Sequence, residues 1–234
     1  MISANLQNVR QRIERKCQKV SRDSSKITLI AVSKNFGIDE INAVISEGVK
    51  DFGENRAQEL DKKFMLLGNK INWHFIGNLQ RNKVRFVVNS AEYIHSVDSF
   101  LLASEINKYA AKINKIQKIL LQVKTSSEDS KSGITDFSEL RDLAFYCKEF
   151  ANVKLVGLMT IAPYSDDESL IRKSFSSLQV MKEKLNSEGL NLTELSMGMS
   201  SDFEIAIEEG STMLRIGSAI FGERDYSKNW KENL

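Results

Sequence analysis

This sequence predicts an α/β fold, a single (β/α)8 TIM barrel with an extra N-terminal helix, on three observations. Eight short runs rich in β-branched and apolar residues recur along the chain. Each is followed by a stretch with apolar residues at three- and four-residue spacing, and the whole fits into 234 residues. Eight β-then-α units in roughly 250 residues is the arithmetic of such a barrel, whereas a doubly wound open sheet uses about five to seven strands. The second and seventh runs are short, and losing both would restore the open sheet as the alternative.

The chain opens with a helix, Ala4 to Val20, carrying Leu6, Val9, Ile13 and Val20 on one face. Residues 1–22 are therefore expected to pack on the barrel. Arg10, Arg12, Arg15, Lys16, Lys19 and Arg22 stand against the single acid Glu14; they read as a solvated face, with a partner or RNA surface as the competing reading. The strand candidates follow as Ile27 to Val32, Val49 to Phe52, Asn72 to Ile76, Tyr93 to Val97, Lys118 to Val123, Leu155 to Thr160, Glu194 to Ser196 and Met213 to Ile216. Between them, spacings such as Ile38, Ile41, Val44 and Ile45, or Leu140, Leu143 and Ala144, predict helices. The polar stretch Thr125 to Gly133 predicts a mobile loop after the fifth strand, on the face where barrel sites are built. One proline, Pro163 at the end of the sixth strand, suits a helix-rich chain without tethered domains, so residues 1–234 read as one domain.

Composition narrows the function classes. Lys and Arg number 33 against 31 Asp and Glu, which leaves no global basic field for a nucleic acid or an anionic membrane. An anionic partner must then be held by a local site. No run reaches the roughly 18 apolar residues of a membrane span, and no apolar leader opens the chain. Cys17 and Cys147 lack metal-ligand spacing and are expected as reduced thiols in a cytoplasmic protein, with no metal bound.

The barrel geometry directs the search for chemistry to the C-terminal ends of the strands. Lys34 ends the first run as AVSK, Asn55 and Arg56 follow the second, His74 lies in the third, the MGMSSD segment (Met197 to Asp202) follows the seventh, and Arg215, Gly217 and Ser218 end the eighth. A lysine buried at the end of an apolar strand is pushed toward the neutral amine, which condenses with aldehydes. The competing reading is a lysine that has left the strand for solvent. Gly217 and Ser218 open a helix, where unpaired N–H groups favour a phosphate. Ser200 and Ser201 supply hydroxyls, or the Ser200-Ser201-Asp202 loop is simply an N-cap for the helix that follows. Loops after strands seven and eight are common phosphate sites in barrels. Lysine and phosphate cradle together describe a phosphorylated aldehyde.

These residues sit within longer motifs: AVSK (31–34), FGENR (52–56), WHFIGNLQRNK (73–83), HSVDS (95–99), SKSG (130–133), GLMTIAP (157–163) and LSMGMSSDFEIAIEEGSTMLRIGSAIFG (195–222). Over about Ile27 to Tyr226 the chain resembles the pyridoxal phosphate homeostasis proteins, the YggS/PROSC family. The resemblance implies a single barrel similar to the N-terminal domain of alanine racemase, binding pyridoxal 5'-phosphate (PLP) as a covalent aldimine to Lys34. It places Asn55 and His74 near the cofactor ring, Ser200, Ser201, Gly217 and Ser218 at the phosphate, and Arg215 beside the pyridine nitrogen. It implies a role in intracellular vitamin B6 and amino-acid homeostasis without established turnover, so no catalytic residue is assigned. PLP-dependent apo-enzymes are the candidate partners, and a monomer is expected. The chain departs from the usual pattern at Asn35-Phe36-Gly37, where many relatives have Thr and then Pro, and at Asn78, where His or Pro is common.

A PLP-dependent, racemase-like enzyme is the alternative. An arginine, always charged and lacking an acceptor, cannot protonate the pyridine nitrogen and so weakens the electron sink. Two-sided proton transfer also needs a second base opposite the lysine. In the racemase architecture a tyrosine of a further domain supplies it, and here the chain ends about eight residues after the match. His74 is the best internal substitute by its pKa range, with a structural role as the competing reading; His95 is the blander candidate. A Schiff-base aldolase or sugar-phosphate isomerase fits lysine plus phosphate but not the extended motifs.

Overall fold

The computed structural model describes residues 1–126 and 132–223. In chain order its elements are α1 (Ile2–Lys19), β1 (Thr28–Val32), α2 (Ile38–Ser46), β2 (Asp51–Glu54), α3 (Ala57–Leu67), β3 (Asn72–Phe75), α4 (Val84–Ser90), β4 (Tyr93–Val97), α5 (Phe100–Lys112), β5 (Gln117–Gln122), α6 (Phe137–Lys148), β6 (Val153–Met159), α7 (Glu168–Ser187), β7 (Glu194–Ser196), α8 (Phe203–Glu208), β8 (Met213–Ile216) and α9 (Ser218–Phe221). All eight strands are parallel and close in sequence order, β8 pairing back onto β1 with Ile30 opposite Arg215. The open sheet is thereby excluded. The closure brings Lys34 and Arg215, far apart in the chain, to neighbouring strand ends.

The expected eight strands all form; β4, β7 and β8 carry the expected boundaries at both ends, and β1, β3 and β5 lie within one residue of theirs. The second differs. It was expected over Val49 to Phe52 and runs Asp51–Glu54, because the ladder to β3 sets Gly53 against His74 and Glu54 against Phe75. Apolar content alone misplaced it, since the strand includes a buried carboxylate. The first strand ends at Val32, so Lys34 stands in the turn that follows rather than at a strand end. β6 begins earlier than expected, at Val153, where pairing with Gln117 starts. Of the Thr125–Gly133 stretch expected to be mobile, residues 127–131 lie outside the described residues.

Packing divides the core in two. A large cluster lies between the helices and the outer face of the strands. A small one, Ile30, Leu120, Val156, Met159 and Met213, packs with Tyr93 on the strands' other face. α1 buries Leu6, Val9, Ile13 and Cys17 against the barrel, the apolar face the periodicity indicated, with Cys17 replacing Val20. Four of the six cations named from the sequence are engaged with the barrel. Arg12 pairs with Glu204 at 3.1 Å, Lys16 with Glu208 at 2.5 Å, Arg10 donates to the Glu47 carbonyl, and Arg22, just beyond, donates to the carbonyls of Ile207 and Ser211. Such part-exposed pairs add little stability singly; they orient the helix against α8.

Both thiols are buried within the packed core, and burial pushes the Cys147 thiol up to about 12. Only the thiolate attacks disulfide reagents. The folded protein is therefore expected to show no fast-reacting thiol with such a reagent, and both thiols to react once it is unfolded in guanidinium. A thiol reacting at the rate of free cysteine without denaturant would contradict the packing of α1 or α6. Among the described residues no helix is long and apolar enough to cross a membrane.

Candidate functional site

A cavity of about 630 Å³ opens at the C-terminal ends of the strands, within the roughly 300–1,000 Å³ typical of small-molecule sites. Seven of the residues singled out from sequence line it: Lys34, Asn55, Ser200, Ser201, Arg215, Gly217 and Ser218. His74 does not. It is fully buried inside the strand ring, between Asp51 and His95.

Lys34 projects from a turn closed by the Phe36 N–H donating to the Ser33 carbonyl at 3.0 Å. The next residue, Asn35, sits at φ 68°, the left-handed region that asparagine tolerates better than most residues. That is a physical reason for asparagine at the first of the departures noted above. Phe36 stacks on Phe221 of α9 at 4.7 Å and ties this turn to the end of the barrel.

Beneath the turn lies a fully buried cluster that sequence reasoning missed. The Lys63 ammonium of α3 donates to the Ser33 carbonyl (2.8 Å), Glu54 Oε1 (2.7 Å) and Glu59 Oε1 (2.8 Å). Glu54 also accepts from the Ser33 hydroxyl, and Glu59 from the Asn35 N–H, both at 2.7 Å. Both chain neighbours of Lys34 are thus anchored to one charged cluster. Its signal was available as an i, i+4 Glu59–Lys63 pair, but such pairs normally face solvent, and nothing local says that this face of α3 turns inward.

The cluster carries two carboxyls against one ammonium. Burial, together with the charge of Glu59, raises Glu54 to about 7 against the opposing pull of Lys63. Between pH 4.5 and 7 the folded chain then holds more protons than the unfolded chain at this position, so stability falls as pH rises through that window. The slope reaches on the order of 1 kcal/mol per pH unit. Glu54→Gln is expected to flatten it in urea melts taken from pH 4.5 to 7.5. An unchanged slope would remove Glu54 as its source.

Asn55 is placed by Gly77. The two backbones approach so closely that a Cβ on residue 77 would stand 2.1 Å from the Asn55 carbonyl oxygen, which only glycine permits. On the far side, Gly198 turns the β7–α8 segment at φ 96°. Asp202 accepts from the Met199 N–H at 2.6 Å, closing that loop; it is the N-cap residue of α8, but its side chain does not cap the helix. The Ser200 hydroxyl oxygen accepts from the N–H groups of Gly217 (3.3 Å) and Ala219 (3.2 Å), leaving its own O–H to donate toward the cavity. With Ser201 and Ser218 alongside, this wall is rich in donors suited to an anion.

Arg215 forms the floor. It is 4% exposed, with Nη1 donating to the Ser196 hydroxyl (2.6 Å) and Nη2 to the Thr160 carbonyl (2.8 Å). Burial lowers it to about 10 against the raising effect of Asp202, so it remains a cation at neutral pH. Two of its five donors are taken. Of the SKSG motif, Ser132 reaches the cavity, while Ser130 and Lys131 lie outside the described residues. No group of three or more His, Cys, Asp or Glu able to hold a metal is found among the described residues.

The chain is similar to several known proteins. Residues 4–225 match the family described as alanine racemase, N-terminal domain. A protein of Aquifex aeolicus named pyridoxal phosphate homeostasis protein is 41% identical over 94% of this chain and 97% of its own length. PipY of Synechococcus elongatus PCC7942, solved with PLP bound, superposes with a TM-score of 0.84 at 34% identity, covering 95% of this chain and 100% of PipY. An alanine racemase of Clostridium difficile shares the fold alone, with a TM-score of 0.78 at 15% identity over 100% of this chain and 62% of the racemase. Barrel, cavity and near-full-length identity agree: the chain belongs to the pyridoxal phosphate homeostasis protein family.

Proposed function

We propose that this chain binds PLP in the cavity at the C-terminal strand ends and acts in PLP and amino-acid homeostasis as a carrier. One observation carries the reading: an amine, Lys34, an anion-binding wall around Ser200 and Gly217, and a buried cation, Arg215, line the same cavity. The donor set fits the group. An aldehyde needs an amine, a phosphate needs N–H and O–H donors, and a pyridine nitrogen needs one donor. PLP-bound PipY supports the choice of ligand.

When bound, the cofactor supplies a reactive aldehyde and an electron-accepting ring. The chain's own residues do the rest. Lys34 condenses with the aldehyde, losing water, and holds the cofactor as a covalent aldimine from a turn that the Lys63 cluster keeps in place. The hydroxyls of Ser200, Ser201 and Ser218 hold the phosphate, and Gly217, which has no side chain, lets it approach the backbone. Asn55 stands beside the ring. Arg215 donates to the pyridine nitrogen and, being a cation without an acceptor, gives it no proton, which disfavours carbanion chemistry. His74 is fixed inside the barrel and does not meet a substrate in the cavity, so it does not supply the second base of a racemase. Residues 1–234 work as one domain in this reading, in the cytoplasm and as a monomer, handing PLP to apo-enzymes.

The test is spectroscopic. Adding PLP to the purified protein is expected to produce an absorbance band distinct from that of free PLP, and borohydride to trap the cofactor on the Lys34 peptide. An unchanged spectrum overturns the reading. Incubating the loaded protein with L-alanine or L-serine in deuterated water is expected to give no α-proton exchange above free PLP; exchange above that level establishes the racemase-like alternative.

A further inference from the structure

A line of hydrogen bonds crosses the barrel interior behind the cavity. It runs from Arg215 Nη1 to Ser196 Oγ (2.6 Å), from Ser196 Oγ to His95 Nδ1 (2.8 Å), from His95 Nε2 to His74 Nδ1 (2.9 Å) and from His74 Nε2 to Asp51 Oδ1 (3.0 Å). Ser196, His95 and His74 are fully buried. Asp51 lies at the start of β2, lines a second cavity of about 450 Å³ below the strands, and is 23% exposed. The line therefore joins the two ends of the barrel, with a cation at one end and an acid at the other.

Donor and acceptor capacities allow one ordering of its protons when both imidazoles are neutral. A carboxylate only accepts, so His74 carries its proton on Nε2. Its bare Nδ1 must then receive the His95 Nε2–H, which leaves His95 Nδ1 bare to accept from the Ser196 hydroxyl. Ser196 in turn accepts from Arg215. Every donor points the same way, from the guanidinium toward Asp51. Burial, with His74 and Arg215 adding to it, holds His95 well below the ordinary histidine range, in keeping with a neutral ring. Tyr93 stacks on His74 at 4.6 Å with its plane 3° away and keeps that ring from turning.

We propose that Asp51, His74, His95 and Ser196 are positioning residues for Arg215, a directional hydrogen-bonded chain that sets the guanidinium beneath the cavity and anchors it from the opposite end of the barrel. The part of the proposal that concerns the bound cofactor rests on the PLP reading above; the proton ordering does not. The chain has consequences for Arg215. Two partners, Ser196 and the Thr160 carbonyl, fix the plane of its fork, and the Ser196 hydroxyl is itself held in one rotamer by donating to His95. If His95 turned to donate from Nδ1, Ser196 would accept on both lone pairs and its own proton would lose its acceptor. The serine would then no longer be held in that rotamer, and Arg215 would lose a fixed partner.

The sequence holds two histidines, both in this chain, so the imidazole nitrogens of the uniformly 15N-labelled protein can be read without ambiguity. In the protein without added PLP, two-bond 15N–1H spectra at pH 7.5 are expected to show both rings neutral and both protonated on Nε2. A proton on Nδ1 of either ring, or an imidazolium, overturns the ordering. The positioning role is tested on PLP-loaded protein. His95→Gln keeps one donor and one acceptor, whereas His95→Leu keeps neither. His95→Leu is expected to displace the bound-cofactor absorbance maximum and speed PLP loss to an acceptor by about tenfold or more, with His95→Gln closer to wild type. Leu and wild-type spectra and release rates that coincide overturn the positioning role. Wild-type protein that shows no bound-PLP band refutes the PLP reading instead, while the nitrogen spectra still decide the chain.

Discussion

Lys34→Ala is expected to abolish the bound-cofactor band and the borohydride-trapped adduct while leaving the fold intact. The side chain lines the cavity from a turn whose anchors are the Ser33 carbonyl and the Asn35 N–H, and neither bond involves the Lys34 side chain. Truncation therefore removes chemistry without opening a core. What remains is the noncovalent hold of the Ser200 wall and Arg215, a few charge-assisted hydrogen bonds of about 1.5–3 kcal/mol each. PLP should consequently still bind Lys34→Ala reversibly, at least about tenfold more weakly, and be lost on gel filtration where wild type keeps it. A Lys34→Ala protein with the wild-type band would move the covalent link to another amine, of which Lys124 at the same cavity is the nearest test case.

The largest effect on stability is expected at Lys63. Its ammonium is fully buried with three acceptors, and removing one partner of a buried ion pair typically costs about 3–5 kcal/mol because the other charge is left uncompensated. Here two carboxyls are left. Lys63→Met fills most of the same volume and leaves Glu54 and Glu59 without their cation. Protonating a carboxyl relieves the repulsion, so the cost should grow with pH: smaller at pH 5 and larger at pH 8, with a steeper decline than in wild type. Urea midpoints at constant m-value would measure it. Adding Glu54→Gln to Lys63→Met should recover part of the loss at pH 8 and little at pH 5. A loss below about 1 kcal/mol that does not vary with pH would mean the cluster is not closed to water. Because the same ammonium holds the Ser33 carbonyl, the variant should also hold PLP less firmly even where it remains folded.

Much of the site was legible because barrels place chemistry at predictable points of the chain. Lys34 follows the first strand, Ser200 and Ser201 the seventh, and Gly217 and Ser218 the eighth, so counting strands was enough to bring them to one face. Counting does not place His74. The resemblance puts it near the ring and the residue type leaves a structural role open, while its depth along the strand sets it below the cavity, opposite Gly53 and bonded to the first residue of β2. Depth depends on strand stagger, which single-strand patterns do not report. The Lys63 cluster and the Asp51–Arg215 chain were invisible for a related reason. Apart from the i, i+4 pair Glu59–Lys63, their members are 9 to 101 residues apart in the individual bonds, and each is an ordinary polar residue until its neighbour is known.

The sequence by itself determined the strand count, the parallel order, the apolar face of the N-terminal helix and the residues that carry the amine, the anion wall and the arginine. Periodicity and loop position are local properties, and local properties can be read along the chain. Only the tertiary structure decided that Lys34 stands on a turn, that its two neighbours are pinned from below by Glu54, Glu59 and Lys63, and that Arg215 is backed by two histidines and a serine. These follow from barrel closure and stagger. Burial leaves a polar group only the partners that the closed sheet brings to it, and that choice is made by the whole ring of strands at once.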